Sequence, residues 1–253
     1  MSMSTLVENI QVEPRKGPKY SFFEVEVTSV MDATPTVKLF NMRVPGRDVY
    51  PFKAGQFIQL DFPIPSKITR RSYSIASAPE GTNEFQLCVG RVPDGLATRY
   101  LFEEVKPGSV LKGADAIGHF ILPPVLDKEL CFISTGVGIA PFRSMLLDGY
   151  AKGIINVPVS LFFGNRSEAD ILYRDDFERM AREHDLKFFP VLSRQTDWHG
   201  PHGHVHKHYM EHFANQRPAL FYLCGWRAML DEARKHLTEM GYDRKDVKIE
   251  LYD

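Results

Sequence analysis

Residues 135–142 read T-G-V-G-I-A-P-F, a glycine-containing turn between an apolar strand pattern and a helix pattern. Gly136 and Gly138 would let the backbone approach a phosphate closely, and the N-terminus of the following helix would stabilise the negative charge. The match to the dinucleotide-binding pattern G-x-G-x-x-G is incomplete, because Pro141 stands where the third glycine belongs. On this motif alone, dinucleotide binding and an ordinary structural turn both stay open.

The turn lies in a half of the chain in which strand and helix patterns alternate. Such alternation is typical of a parallel sheet covered by helices on both faces. It predicts a doubly wound nucleotide-binding domain over residues 124–253, with the boundary at Pro123-Pro124. The predicted strands are 130–134, 157–163, 186–192, 219–224 and 247–251, and the predicted helices are 141–152, 174–184, 206–213 and 227–240.

Residues 20–123 have a different sequence pattern, in which short strands alternate with turns that contain Gly and Pro. Strands at this spacing favour a closed or nearly closed antiparallel barrel of the Greek-key type. The predicted fold class is therefore an antiparallel barrel followed by a doubly wound parallel-sheet domain, with residues 1–19 as an N-terminal extension. The predicted strands are 22–30, 36–44, 56–62, 72–77, 84–89 and 110–112, with one helix at 96–104.

The composition places the chain among ordinary globular proteins. Hydrophobic residues make up 43% and charged residues 25% of the 253 residues, which excludes a disordered chain, a collagen or a coiled coil. No apolar run approaches the ~18–20 residues that a membrane span needs. Met1–Lys19 also lacks the apolar core of a signal peptide. We therefore expect a soluble, cytoplasmic protein that does not associate with membranes.

Charge and cysteine content exclude further classes of site. The formal net charge of −1 gives no basis for nucleic-acid binding, which needs a basic excess. The three cysteines, Cys88, Cys131 and Cys224, are far apart, so no disulfide framework or zinc ribbon is indicated. Three thiols also cannot ligate a Cys₄ iron–sulfur cluster within this chain.

Two arginines follow predicted strands of the second half. The second strand ends at Gly164-Asn165-Arg166, without an acid to bind a ribose 2′-hydroxyl, and the third ends at Ser193-Arg194. Two guanidinium groups and a hydroxyl at strand ends suit a 2′-phosphate, which favours NADP(H). The alternative is that both arginines are solvated surface residues.

Residues 70–77, R-R-S-Y-S-I-A-S, resemble the flavin-binding R-x-Y-S signature of the ferredoxin–NADP⁺ reductase superfamily. Each motif of this family is only moderately specific, but seven occur here in the family's order from about Tyr20 to the C-terminus. The resemblance implies FAD in the barrel, NADP(H) in the second domain and hydride transfer in the cleft between them. The other motifs are G-x-x-T at 95–98, T-G-x-G-I-A-P-F at 135–142, S-R at 193–194, W-H-G-x-x-G at 198–203, C-G-W-R-A-M at 224–229 and E-L-Y at 250–252.

The resemblance implies the flavin contacts of the first half. Arg71 would bind the flavin pyrophosphate, Tyr73 would stack on the isoalloxazine, and Ser74 would hydrogen-bond near the flavin N5. A solvated strand residue and a barrel-core aromatic are the alternatives for Arg71 and Tyr73. FMN is the alternative flavin, because no clear sequence motif marks the region that would bind the AMP half of FAD. The other residues implied to bind the flavin are Ser72, Cys88, Val89, Gly90, Gly95, Ala97 and Thr98.

The resemblance also implies the nucleotide contacts and the catalytic set, which is Ser74, Cys224, Glu250 and Tyr252. Tyr252 would stack on the flavin face that the nicotinamide must occupy, and Glu250 would assist charge or proton balance. The alternatives are a fraying terminus for Tyr252, which Asp253 follows, and a buried apolar residue for Cys224. The residues implied to bind the nucleotide are Thr135, Gly136, Gly138, Arg166, Ser193, Arg194, Cys224, Gly225 and Met229.

Six of the nine histidines fall between residues 199 and 212. His208 and His212 would share a helical face, but no cysteine completes a metal-ligand set there and Glu211 points elsewhere. We therefore expect a loop and a helix start without a functional metal site.

The function that the resemblance implies is that of a ferredoxin– or flavodoxin–NADP(H) reductase, acting as a monomer. Two alternatives stay open. One is an NADH-dependent reductase component of an oxygenase system, with the iron–sulfur cluster on another protein. The other is a non-catalytic electron-transfer subunit of a larger complex.

Overall fold

Two sheets organise residues 21–67 and 69–252, which are the residues that the computed structural model describes. The predicted N-terminal extension at 1–19 and Asp253 lie outside these residues. Within these ranges, no helix is long and apolar enough to cross a membrane.

The first sheet has six antiparallel strands in the order β4-β3-β6-β1-β2-β5. Its two ends meet, because Ile75 forms a bridge with Leu87 and the Ala76 N–H donates to the Gln86 carbonyl oxygen at 2.8 Å. The predicted barrel is therefore confirmed. The elements are β1 (Phe23–Thr34), β2 (Val37–Arg43), β3 (Phe57–Asp61), β4 (Arg70–Ser74), β5 (Glu84–Gly90), α1 (Leu96–Glu103) and β6 (Val110–Gly113).

The second sheet has five parallel strands in the order β11-β10-β7-β8-β9. The central strands are buried along almost their whole length, as expected for a sheet covered on both faces. The doubly wound domain is therefore confirmed. The elements are β7 (Glu129–Thr135), α2 (Ala140–Ala151), β8 (Val159–Asn165), α3 (Arg174–Glu183), β9 (Leu186–Leu192), α4 (Val205–His212), β10 (Ala219–Gly225), α5 (Arg227–Glu239) and β11 (Val247–Leu251).

Two predicted strands are displaced along the chain. The strand predicted at 72–77 is β4 at Arg70–Ser74, because beyond Ser74 the chain leaves β3 and turns toward β5. The strand predicted at 157–163 is β8 at Val159–Asn165, because its pairing with β9 continues to Asn165. The strand ends, which carry the candidate site residues, are thus set by pairing partners far away in sequence.

The order of the parallel strands reverses between β7 and β10. From β7 the chain runs outward to β8 and β9, then returns to the other side of β7 through β10 and β11. The loops that follow β7 and β10 therefore diverge, and a crevice for a ligand opens between them. The turn at 135–142 lies at this crevice.

One buried core is shared by the two halves of the chain. Its members from the barrel side are Val37, Ala54, Ala76 and Cys88, and they pack with residues of β7, β8, β10 and α2. Phe120, between β6 and β7, packs its ring against Phe142 at 5.8 Å and Tyr222 at 5.2 Å between centroids. The boundary at residues 123 and 124 lies in this same connection and stays a prediction.

Gly55 is required at the junction of the two halves, so its replacement should destabilise the protein. It has a φ of +95°, and a Cβ atom there would overlap the Phe120 carbonyl oxygen and the Met145 side chain. We expect Gly55→Ala to lower the free energy of unfolding by about 3 kcal/mol, from backbone strain and overpacking together. Denaturant unfolding of the purified protein measures this change.

Gly46→Ala is the matched control, because Gly46 also has a positive φ of +73°, but apart from its chain neighbours no described residue has an atom within 4 Å of the position of its Cβ. It should lose about 1–2 kcal/mol, from strain alone. Equal losses for the two variants would contradict the close approach at Gly55.

Candidate active site between the two sheets

A serine and a glutamate from opposite halves of the chain meet at the centre of the candidate site. Ser74 ends β4, and Glu250 lies in β11, the last strand of the parallel sheet. The Ser74 Oγ donates a hydrogen bond to Oε2 of Glu250 at 3.1 Å. Two members of the predicted catalytic set are therefore in direct contact.

Burial changes the protonation of Glu250. It raises the pKa of this carboxyl to about 7, while the hydrogen bond from Ser74 acts in the opposite direction. Glu250 therefore exchanges a proton near neutral pH, which suits a group that balances charge in a buried site.

Tyr252 and Cys224 lie beside this pair. Cys224 is opposite Glu250 in the pairing of β10 with β11, and the Tyr252 N–H donates to the Gly225 carbonyl oxygen at 3.3 Å. The Tyr252 ring packs against the shared core, and burial raises the pKa of its hydroxyl. That hydroxyl has no hydrogen-bond partner among the described residues.

Cys224 has the environment of a small apolar residue. Its side chain is fully buried, and burial raises the pKa of its thiol well above the ordinary value. A neutral thiol is a poor nucleophile, so the geometry gives Cys224 a packing role in the floor of the crevice. Its position beside a nicotinamide stays a prediction.

The glycines of the turn serve two different purposes. Gly138 is needed for packing, because a Cβ atom there would overlap the Cys224 carbonyl oxygen. Gly136 has a φ of +53°, and apart from its chain neighbours no described residue has an atom within 4 Å of the position of its Cβ, so there is open space beside the backbone. Packing thus explains Gly138, and the binding of a phosphate at the turn stays a prediction.

A buried hydroxyl group beside the crevice lacks, within the described residues, a hydrogen-bond partner that a bound nucleotide would supply. The Oγ1 of Thr135 is buried without a hydrogen-bond partner among the described residues. A Cβ atom on Gly225 would lie only 2.5 Å from this oxygen and 2.7 Å from the Met229 side chain. Glycine at 225 thus lets the ends of β7 and β10 come close together, and a polar group of a ligand would satisfy the Thr135 hydroxyl beside them.

The start of α1 fits the phosphates of a flavin. Gly95 is the N-cap, no side chain of the described residues caps the helix, and the first turn carries no acid. The Thr98 Oγ1 donates to the Gly95 carbonyl oxygen at 3.2 Å, which shapes the turn, and Ala97 is buried beneath it. The N–H groups of this first turn are suited to an anion.

The R-x-Y-S segment places its side chains on both faces of β4. Tyr73 is buried in the barrel core, where its ring meets Phe62 edge-on at 6.1 Å, as the core-aromatic alternative describes. Arg71 is half-buried and donates to the Arg70 carbonyl oxygen at 2.7 Å, whereas Ser72 is exposed. Their contacts with a flavin stay predictions.

The end of β5 brings the barrel to the turn. Cys88 and Val89 are buried, and Cys88 belongs to the core that both halves share. A Cβ atom on Gly90 would lie 3.2 Å from the Val137 side chain, so β5 and the turn nearly touch. The predicted flavin-lining segment therefore forms one wall of the crevice.

Arg166, Ser193 and Arg194 lie together at the same edge of the parallel sheet. The Arg194 N–H donates to the Arg166 carbonyl oxygen at 2.9 Å, and all three side chains are exposed. Arg166 is 3.4 Å from Asp170, an acid that follows β8 and that the sequence interpretation did not include. No salt bridge joins Arg194 to a residue in the described ranges, so it is the stronger candidate for a 2′-phosphate.

The histidines between 199 and 212 have separate partners. His208 contacts the His202 carbonyl oxygen at 2.8 Å, and His212 contacts Ser160 at 3.0 Å and Glu129 at 3.4 Å. Within residues 21–67 and 69–252, no group of three His, Cys, Asp or Glu side chains is arranged to hold a metal ion.

Sequence reasoning missed three residues at the interface behind the site. Arg143 and Ser144 on α2 donate to the carbonyl oxygens of Ala76 and Ser77, and the Tyr173 hydroxyl donates to Gln86. The one available signal was a charged residue within an otherwise apolar helix start, directly after A-P-F.

Comparison with known proteins identifies the family. The profile of the oxidoreductase FAD-binding domain matches residues 24–121, and that of the oxidoreductase NAD-binding domain matches residues 132–235. The chain is 34% identical to ferredoxin–NADP reductase B of Sorangium cellulosum, over 96% of this chain and 100% of that protein. The chain belongs to the ferredoxin–NADP reductase family. It is an oxidoreductase with an FAD-binding and an NAD(P)-binding domain.

Other proteins are similar to this family member over most of its chain. The reductase component of phenol 2-monooxygenase from Pseudomonas sp. (strain CF600) is 29% identical, over 89% of this chain and 64% of that protein. The crystal structure of a ferredoxin–NADP⁺ reductase from Neisseria gonorrhoeae with bound FAD and NADP superposes with a TM-score of 0.78. It covers 91% of this chain and 98% of its own at 24% identity, and it confirms the fold.

The raised pKa of Glu250 predicts a pH-dependent stability. The stability that the protonated carboxyl contributes is complete below about pH 4.5 and is lost as the pH rises through about 7. Glutamine at this position is neutral at every pH. The difference in unfolding free energy between Glu250→Gln and the unsubstituted protein should therefore shift by about 1–3 kcal/mol in favour of Glu250→Gln as the pH rises from 5 to 8. Denaturant unfolding at both pH values measures this gain.

Glu80→Gln is the control, because Glu80 is an exposed carboxyl on the loop between β4 and β5. Its difference from the unsubstituted protein should be nearly the same at pH 5 and pH 8. A Glu250→Gln difference that does not change with pH would show that Glu250 is ionised at pH 5.

Proposed function

We propose that this protein is an FAD-dependent reductase that exchanges a hydride with NADP(H) and single electrons with ferredoxin or flavodoxin. The observation that carries the proposal is the Ser74–Glu250 hydrogen bond at 3.1 Å, which joins the R-x-Y-S strand to the C-terminal strand at the crevice. The full-length similarity to ferredoxin–NADP reductase B of Sorangium cellulosum supports the same function. A monomeric state and a cytoplasmic location stay predictions of the sequence.

The residues of the crevice fit the two cofactors that the family uses. Bound FAD would supply the chemistry, by taking up a hydride at N5 and releasing electrons one at a time. The first turn of α1, with Gly95 and Thr98, would hold its phosphates, and Arg71 would hold its pyrophosphate. Ser74 and Glu250 would hold and exchange a proton at the Glu250 carboxyl.

NADP(H) is proposed over NAD(H) because of the cations at the edge of the parallel sheet. Arg194 and Arg166 lie on adjacent strand ends, beside the crevice in which the glycine turn would hold the pyrophosphate. The Asp170 carboxylate partly neutralises Arg166, so the preference would depend mainly on Arg194.

A second candidate function is that of an NADH-dependent reductase component of an oxygenase. The similarity to the reductase component of phenol 2-monooxygenase favours it, although this chain spans only 64% of that protein. The two functions differ in nucleotide preference and in electron acceptor, so kinetics distinguish them.

Flavin analysis and steady-state kinetics of the purified protein test the proposal. We expect one FAD per chain, released by heat and identified by chromatography, and faster turnover with NADPH than with NADH. The acceptors to compare are ferredoxin, flavodoxin and a one-electron dye. A stronger response to NADH would favour the oxygenase-type reductase, and a lack of dye reduction with either nucleotide would favour the non-catalytic subunit.

Replacement of Arg194 tests the nucleotide preference. Arg194→Ala should raise the KM for NADPH about tenfold to a hundredfold, since a charged contact to a 2′-phosphate contributes ~1–3 kcal/mol. The KM for NADH should stay nearly unchanged. Arg182→Ala, which removes an exposed arginine from α3, is the control and should change neither constant. Equal losses with both nucleotides would place Arg194 elsewhere.

Replacement of Tyr252 tests whether its ring occupies the nicotinamide position. A nicotinamide that must displace a stacked ring binds more weakly by ~0.5–1.5 kcal/mol plus the burial of the ring. Tyr252→Ser should therefore bind NADP⁺ more tightly, show a longer-lived charge-transfer absorbance and turn over more slowly, because the product leaves slowly. The KM for NADH should also fall.

Tyr252→Phe is the matched control, because it keeps the ring and removes a hydroxyl that has no partner within the described residues. It should behave like the unsubstituted protein. If Tyr252→Ser changes neither NADP⁺ binding nor turnover, the ring does not cover the flavin.

A further inference from the structure

Arg143, in the first turns of α2, joins the two halves of the protein. Its Nη1 donates to the Ala76 carbonyl oxygen at 2.9 Å, and its Nε donates to Oδ2 of Asp176 on α3 at 2.7 Å. The next residue, Ser144, is fully buried and donates from its Oγ to the Ser77 carbonyl oxygen at 2.6 Å. Two consecutive residues of α2 are thus bonded to two consecutive carbonyls of the barrel.

Tyr173, which precedes α3, makes a second contact across the same interface. Its hydroxyl donates to Oε1 of Gln86 on β5 at 2.9 Å, and the Arg143 guanidinium lies 4.4 Å from the centroid of its ring. Tyr173 has a φ of +56°, an unfavourable conformation for an aromatic residue. Such a conformation persists only where surrounding contacts fix the residue, and here those contacts come from β5 and α2.

These contacts connect the two parts of the candidate site by short paths. Ala76 lies two residues after Ser74, and Arg143 lies five residues after Gly138 of the turn. Both paths run through close-packed structure, which transmits a displacement rather than absorbing it. The Arg143 contacts therefore link the position of the turn to the end of β4.

We propose that Arg143 is a positioning residue for hydride transfer, which acts with Tyr173 to fix the NAD(P)H-binding turn relative to the flavin-binding strand. The inference rests on the proposed function, since it requires a nicotinamide and a flavin to meet in this crevice. Arg143 acts through Ala76 and α2, not on the reacting atoms. A misplacement of about 1 Å between reacting groups can lower a rate about a hundredfold.

The chemistry of arginine suits this role better than that of lysine or an apolar residue. The planar guanidinium bonds in fixed directions to the Ala76 carbonyl and to Asp176 while its face covers the Tyr173 ring. Lysine can make only some of these contacts, because its ammonium group is a compact charge without a planar face that could cover the Tyr173 ring. Methionine fills similar volume but makes none of these polar contacts.

The test compares Arg143→Met and Arg143→Lys with Arg179→Met. Arg179 is a matched control, because it also pairs with Asp176, at 3.6 Å, but its other partner is Glu183 on the same helix. The main measurement is the single-turnover rate of flavin reduction at saturating NADPH. The binding of adenosine 2′,5′-bisphosphate, the FAD content and the thermal midpoint are measured for each variant.

We expect the flavin of Arg143→Met to be reduced about 10- to 100-fold more slowly than that of the unsubstituted protein. The rate in Arg143→Lys should be at least threefold higher than the rate in Arg143→Met. The affinity for adenosine 2′,5′-bisphosphate should change less than twofold, because this ligand lacks the nicotinamide half that must reach the flavin. Arg179→Met should reduce flavin at the unsubstituted rate. A lower thermal midpoint with a flavin reduction rate within twofold of the unsubstituted protein would overturn the proposal.

Tyr173→Phe keeps the proposal testable if Arg143→Met does not fold. It removes only the hydroxyl that bonds to Gln86, and it should slow flavin reduction about two- to fivefold. If Arg143→Met does not fold, an unchanged rate of flavin reduction in Tyr173→Phe would overturn the proposal. If the unsubstituted protein is reduced by NADH and not by NADPH, only the cofactor preference is contradicted, and the same comparison is then made with NADH.

Discussion

The burial of one carboxyl group, Glu250, where the barrel meets the parallel sheet is the constraint on which the candidate site depends. A carboxyl in such a place must be neutral or hydrogen-bonded, and Ser74 supplies the bond at 3.1 Å. Because Ser74 ends β4 and Glu250 lies in the last strand, this bond forms only when both halves are folded and docked. The chemistry of the site therefore depends directly on the packing between the halves.

The same dependence explains the glycines around the crevice. Gly138 lies against the Cys224 carbonyl, and Gly225 lies against Thr135, so the loops after β7 and β10 approach each other as closely as their backbones allow. Gly136 alone leaves open space beside its backbone. Packing alone already requires the second glycine of the T-G-V-G segment, and the binding of a phosphate by the backbone of this segment stays a prediction.

Local sequence pattern predicted most of the fold, because apolar periodicity and turn residues are local properties. The strands at 186–192 and 247–251 begin and end at the predicted residues, and the helix predicted at 227–240 is α5 at Arg227–Glu239. The predicted end of β4 at residue 77 was wrong, because the strand ends at Ser74, where its pairing with β3 ends. Arg143 was not predicted as an interface residue because its barrel partner lies 67 positions away in the chain.

The two sides of the crevice are held by different kinds of contact. On one side, Arg143 and Ser144 bond to two barrel carbonyls, and a displacement there would break several hydrogen bonds at once. On the other side, Tyr252 is attached by one backbone bond of 3.3 Å, and its buried hydroxyl has no partner within the described ranges. The Tyr252 ring is therefore held mainly by its packing against the shared core. The proposed displacement of the Tyr252 ring by a nicotinamide would use this difference, because one ring would replace another in the packing while the hydrogen-bonded side keeps the spacing of the two halves.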